Sequence, residues 1–218
     1  LNIIFVADIF GLTDEFEHFC QQAITHVKQL LSEADSLAVE WHMIGPYHKQ
    51  PALFSCEQDA YQYFIKNVTL EGYVKKLEQK LLAVTGIKLL VGFSVGGSAI
   101  WQLHGQQSNT EQSSTEKSSA EKSTTAICFY SSQIRHMTQL TPHIPITMIL
   151  PRAEQHFSIE DLRVELGKKS TVTIEQSEYL HGFMNKLSVN YHPFAYQYYT
   201  KRLAELLASN IHTNVNDK

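Results

Sequence analysis

No apolar run in this chain approaches the roughly 20 residues that a membrane-crossing helix requires. The first residues carry neither a basic leader nor a cleavage site. These two absences lead to the expectation of a soluble, cytoplasmic protein. Positive charge is in short supply as well: 18 Lys and Arg stand against 22 Asp and Glu, a formal net charge of −4. With no basic surplus to neutralise phosphates, nucleic acid and anionic membrane are excluded as partners. Cysteine is scarce. The 3 present, Cys20, Cys56 and Cys128, are an odd number in unrelated settings, two of them inside apolar patterns, which argues for reduced thiols. No Cys/His spacing suits zinc, so neither a metal nor a cofactor is expected. What is present is a large apolar fraction, 43% of 218 residues with 11% aromatic, enough for one core and hence a single domain over residues 1–218.

The order of elements is legible from periodicity. Asn2 to Ala7 is a nearly continuous β-branched and aromatic run, the pattern of a parallel strand covered on both faces. Phe16, Phe19, Cys20, Ala23, Ile24, Val27, Leu30 and Leu31 recur at three and four, behind a capping Thr13 and the acidic Asp14 and Glu15, and predict an amphipathic helix. Leu37 to Ile44 returns to strand character. A helical stretch from about Glu57 to Val84 follows, with an interruption expected near Gly72. Ile87 to Val91 is a strand, residues 92–97 a tight turn, and Ser98 to Leu103 a helix. Ala126 to Tyr130, Ile146 to Leu150 and Thr171 to Ile174 read as further strands. Ser158 to Leu166 and Pro193 to Ala208 read as helices. Such alternation implies a largely parallel sheet with right-handed crossovers. The segment 106–125 is too polar to pack and is expected to be a flexible insertion on the face opposite the strands' carboxyl ends.

The chemistry centres on Gly92-Phe93-Ser94-Val95-Gly96, placed where a buried strand stops and a helix begins, the context of a nucleophile elbow. A Gly/Ser turn can also simply let a helix pack on a sheet. If Ser94 is a nucleophile it needs a base and an acid. His181, in the loop between the last strand and the last helix, stands where a base belongs. Glu154, directly after the strand Ile146–Leu150, is preferred as the acid, with Asp161 as its competitor within a helix. The amides of Ile9 and Val95 are the expected oxyanion donors. Asp8 can supply that loop's chemistry or merely satisfy loop amides. Trp41, His42, Tyr47 and Tyr130, just after strand ends, are candidate pocket walls or plain core.

These residues resemble the dienelactone hydrolase family of the α/β-hydrolase superfamily. Ile3 to Leu12 is similar to that family's strand and acidic-Ile-Phe-Gly loop. The run Gly92 to Gly97 is similar to its Gly-x-Cys-x-Gly-Gly, and His181-Gly182-Phe183 matches its His-Gly-Phe. The similarity covers the chain apart from the polar insertion. It implies the α/β-hydrolase fold, here without the usual N-terminal hairpin, and hydrolysis of small esters or lactones by a Ser94–His181–Glu154 triad. Three departures stand out. Serine replaces the founding cysteine, Pro151-Arg152-Ala153-Glu154 replaces a Gly-x-x-Asp stretch, and Asn185 stands where the family's carboxylate-holding arginine lies. A degenerate hydrolase scaffold serving as a binding module, or a thioesterase or acyltransferase, is the alternative.

Overall fold

A computed structural model describes residues 1–51, 54–107 and 124–216. In chain order the elements are β1 (Asn2–Val6), α1 (Asp14–Leu30), α2 (Glu33–Leu37), β2 (Glu40–Ile44), α3 (Glu57–Asn67), α4 (Thr69–Leu82), β3 (Lys88–Phe93), α5 (Val95–His104) and β4 (Gly105–Gln107). They continue with β5 (Thr124–Phe129), β6 (Leu140–Pro142), β7 (Ile146–Leu150), α6 (Ile159–Gly167), β8 (Val172–Gln176) and α7 (Pro193–Asn216). The main sheet has 6 strands in the order β2-β1-β3-β5-β7-β8. Every pairing within it is parallel.

Successive strand residues point to opposite faces, so a strand buried on both sides must be apolar throughout. In β1, Ile3 and Phe5 pack against α1 and α7, while Ile4 and Val6 pack against the layer of α3 to α6. Helix α1 begins as its sequence requires, with the Thr13 hydroxyl accepting the Phe16 amide at 3.2 Å. Its stripe of Phe19, Cys20, Ala23, Ile24 and Val27 is buried. Cys20 and Cys128 lie on opposite faces of the sheet, and Cys56 is exposed. No helix among the described residues is long and apolar enough to cross a membrane.

Four expectations are corrected. The strand foreseen from Leu37 starts only at Glu40, because Ser32 caps a short helix by accepting the Asp35 amide, and Leu37 ends that turn 82% exposed. The helix break falls at Val68–Thr69 and not at Gly72. Thr69 takes a left-handed φ of 63° and its hydroxyl accepts the Gly72 amide, so the glycine sits inside the first turn of a new helix. Of the foreseen insertion, residues 108–123 lie outside the described residues. Its edges are strands: Gln106 and Gln107 pair with Thr141 and Leu140, and Thr124 and Thr125 pair with Lys88 and Leu89. Backbone pairing needs no apolar side chain, which is why composition missed it. Lastly, Trp41 and His42 lie within β2, Trp41 against Phe5 and His42 bonded to Asn2 at 3.1 Å, away from the rim where the strands end.

Candidate active site

Six loops leave the carboxyl edge of the sheet, one after each of its parallel strands. Backbone hydrogen bonds lace them together: Ser94 N to Phe129 O (3.0 Å), Tyr130 N to Ile149 O (2.8 Å), Ser177 N to Leu150 O (2.8 Å) and Arg152 N to Tyr179 O (2.7 Å). Residues remote in sequence are thereby held at one rim. Ser94 occupies the turn from β3 to α5 with φ 50° and ψ −115°, a conformation a non-glycine residue adopts only under constraint. The constraint is packing. A Cβ on Gly96 would stand 2.3 Å from Val6 O and 2.5 Å from Ala7 O, so the first turn of α5 presses on the end of β1.

Ser94 Oγ lies 3.0 Å from His181 Nε2. On the other side of the ring, Nδ1 lies 2.7 Å from Glu154 Oε1. A carboxylate can only accept, so Nδ1 carries the proton and donates to Glu154, which leaves Nε2 to accept from the serine hydroxyl. His181 and Glu154 side chains are only 17% and 14% exposed. Gly182 turns the chain at φ +83°, and a Cβ there would meet Ser188 Oγ at 2.4 Å, which explains why a glycine comes after the histidine. The Tyr130 ring, 5.0 Å from the imidazole between centroids, and Asn190, which donates to His181 O at 2.9 Å, fix the loop further. Asp161 is exposed, and its amide donates to Ser158 Oγ in the helix cap, so it does not meet His181.

Among solved structures the chain is similar to a dienelactone hydrolase-like promiscuous phosphotriesterase from metagenomic libraries, with a TM-score of 0.58 at 11% identity over 97% of this chain and 85% of that one. It is also similar to a YdeN-like hydrolase from Pectobacterium atrosepticum, with a TM-score of 0.56 at 11% identity over 96% of this chain and 91% of that one. Est1E from Butyrivibrio proteoclasticus gives 0.54 at 10% identity over 97% and 87%. The chain has the α/β-hydrolase fold. No protein-family model and no curated protein sequence matches it.

In this α/β-hydrolase fold the loop after β1 faces the serine. Tyr47 donates its hydroxyl hydrogen to Ile9 O, Gln50 donates to Phe10 O at 2.7 Å, and Tyr73 donates to Ala7 O and Ile44 O at 3.0 and 2.8 Å. Tyr47 is therefore a brace for the loop, and Tyr130 lines the inner cavity with Asp8 and Ser94. The Ile9 and Val95 amides have no protein acceptor among the described residues.

Sequence reasoning missed the partnership of Asp8 and Asn185, which are 177 positions apart. The buried Asp8 carboxylate accepts the Phe10 amide at 2.9 Å and the Asn185 side-chain amide at 2.6 Å. Burial pushes its pKa up to about 6; the Phe10 and Asn185 hydrogen bonds and nearby His181 pull it down, and Glu57 adds to the rise. The acidic-Ile-Phe-Gly loop paired with Asn185 in the His-Gly-Phe segment was the available signal.

Stability should therefore depend on pH. The folded chain holds the Asp8 proton from its ordinary value of 3.8 up to about 6, where the unfolded chain has released it. The stabilising contribution is complete below the lower value and lost as pH rises through the upper one. Urea unfolding of the wild type and Asp8→Asn checks this. The difference between them shifts by about 2 kcal/mol in favour of the variant between pH 4 and 7, because the variant's own packing cost is the same at both.

Proposed function

We propose that this chain is a serine hydrolase that cleaves small carboxylic esters or lactones through an acyl-enzyme, in the manner of the dienelactone hydrolases. The observation that carries the reading is the unbroken relay from the Ser94 hydroxyl to His181 Nε2 at 3.0 Å and from Nδ1 to Glu154 at 2.7 Å. Serine is unreactive at its own pKa, and an adjacent oriented imidazole removes that obstacle.

Ser94 Oγ attacks the carbonyl carbon as its proton passes to His181 Nε2. The carbonyl oxygen gains negative charge and is met by the Ile9 and Val95 amides, whose braced backbone needs no rearrangement to receive it. The tetrahedral species collapses when the alkoxide leaves and takes the proton from Nε2. Water then repeats the sequence on the Ser94 ester, and Glu154 stabilises the imidazolium in both halves. With a lactone the leaving oxygen stays tethered to the acyl chain.

A serine-directed fluorophosphonate tests the assignment. Covalent labelling at Ser94, located by peptide mass analysis, is the expected result. A folded protein that does not react at Ser94 overturns the enzyme and leaves a binding scaffold. A panel of short oxygen esters, lactones and thioesters then ranks the acyl substrates.

A further inference from the structure

Beyond Ser94 and His181 the site opens into a broad groove of about 600 Å³. One wall comes from α3, with Glu57 and Tyr61, and another from the 3-10 turn Ser132–His136 that comes after β5. Gln133 of that turn donates to the Tyr61 hydroxyl at 3.4 Å across the groove. The same turn supplies Arg135, the one Arg or Lys among the described residues lining the groove.

Arg135 is held in place without being neutralised. Its Nη1 donates to Ser132 O at 2.9 Å, and the guanidinium carbon lies 5.0 Å from the centre of the Phe157 ring. Arg163 and Arg202 each meet glutamate carboxylates, whereas Arg135 has none within ion-pair distance among the described residues. A half-buried guanidinium has five N–H donors, and one is spent on Ser132. Its planar fork matches the two oxygens of a carboxylate. A dianionic phosphate would call for a second cation, and the described groove lining has no other Arg or Lys. Glu57, on the wall formed by α3, also lines the inner cavity with Asp8, whose lining does not include Arg135, and accepts from Ser188 Oγ at 3.5 Å. An anion in the groove is thus drawn to Arg135, while Glu57 repels it from the inner cavity.

Resting on the hydrolase reading above, we propose that Arg135 selects esters that carry a carboxylate, holding that group in the groove while Ser94 attacks the ester carbonyl. The carboxylate can belong to the acyl or to the leaving part, so the test has two matched pairs. The acyl pair is 4-nitrophenyl hydrogen adipate against its methyl ester. The leaving-group pair is 4-acetoxybenzoate against 4-acetoxybenzamide. In the wild type the anionic member of at least one pair has about tenfold higher kcat/KM, and added salt reduces the ratio. Arg135→Gln brings the ratio near one, and Arg135→Lys retains part of it. Fluorophosphonate labelling of Ser94 in each variant establishes that it is folded and its serine competent. Turnover with no preference in either pair, or a preference that survives Arg135→Gln in labelled protein, overturns the proposal alone. Failure of the folded wild type to label or to turn over any ester removes the hydrolase reading, and this one with it.

Discussion

Ser94→Ala is expected to lower kcat/KM for an activated acetate ester by about 10⁴-fold or more and to abolish burst acylation, while its unfolding midpoint stays close to that of the wild type. The two outcomes separate because alanine keeps the Cβ that the strained turn already accommodates and removes only the oxygen 3.0 Å from His181 Nε2. The acid should show itself differently. Glu154→Gln leaves a group of the same shape 2.7 Å from Nδ1, but its amide nitrogen can impose the wrong tautomer on the ring, and the carboxylate no longer balances the imidazolium. A loss of about 10³- to 10⁴-fold in kcat is expected, against a change of less than about twofold for the exposed Asp161→Asn. Full turnover by Ser94→Ala, or equal losses for the two acids, would remove the relay from the mechanism. Steady-state kinetics with thermal unfolding of each variant makes the measurement.

Gly96→Ala is the substitution with the largest expected effect on folding. The added Cβ would meet the carbonyl oxygens of Val6 and Ala7 at 2.3 and 2.5 Å. These are backbone atoms at the end of β1, a strand paired on both edges with β2 and β3, so neither can yield without moving the sheet. A destabilisation of about 3 kcal/mol or more is expected, seen as a large drop in the urea midpoint or loss of soluble protein. Gly72→Ala is the contrasting case. The nearest atoms to a Cβ placed there stand at 3.8 Å, and the residue is helical, so a gain of about 0.5–1 kcal/mol is expected. A Gly96→Ala protein as stable as the wild type would show that the close approach of α5 to β1 is not what holds the elbow.

These two glycines also show where sequence reading succeeds and where it stops. Gly96 was legible because its neighbours, a buried strand before and a helix after, give the Gly-x-Ser-x-Gly run only one sensible geometry. Gly72 was misread as a helix breaker because propensity is a weak prior. The break was made one turn earlier, where Thr69 adopts φ 63° and caps the first turn of α4, and no single-residue preference foretells a β-branched residue there. Leu37 misled for a similar reason. Its apolar character suggested a strand, yet the Ser32 cap claimed it for a helix whose residues stay out of the core.

The amino-acid order alone determined the alternation of strands and helices, the parallel sheet, and the three polar residues Ser94, Glu154 and His181 as candidates at its rim. Strand and helix periodicities are local, and each candidate comes after its own strand within a few residues. Only the tertiary structure decided that Glu154 and not Asp161 meets the imidazole, that Asn185 binds Asp8, and that Arg135 faces the serine's groove without a carboxylate partner among the described residues. Those outcomes depend on loops from different strands converging in space. A hydrogen bond reaching only about 3 Å is set by the final packing of the sheet, which no local pattern encodes.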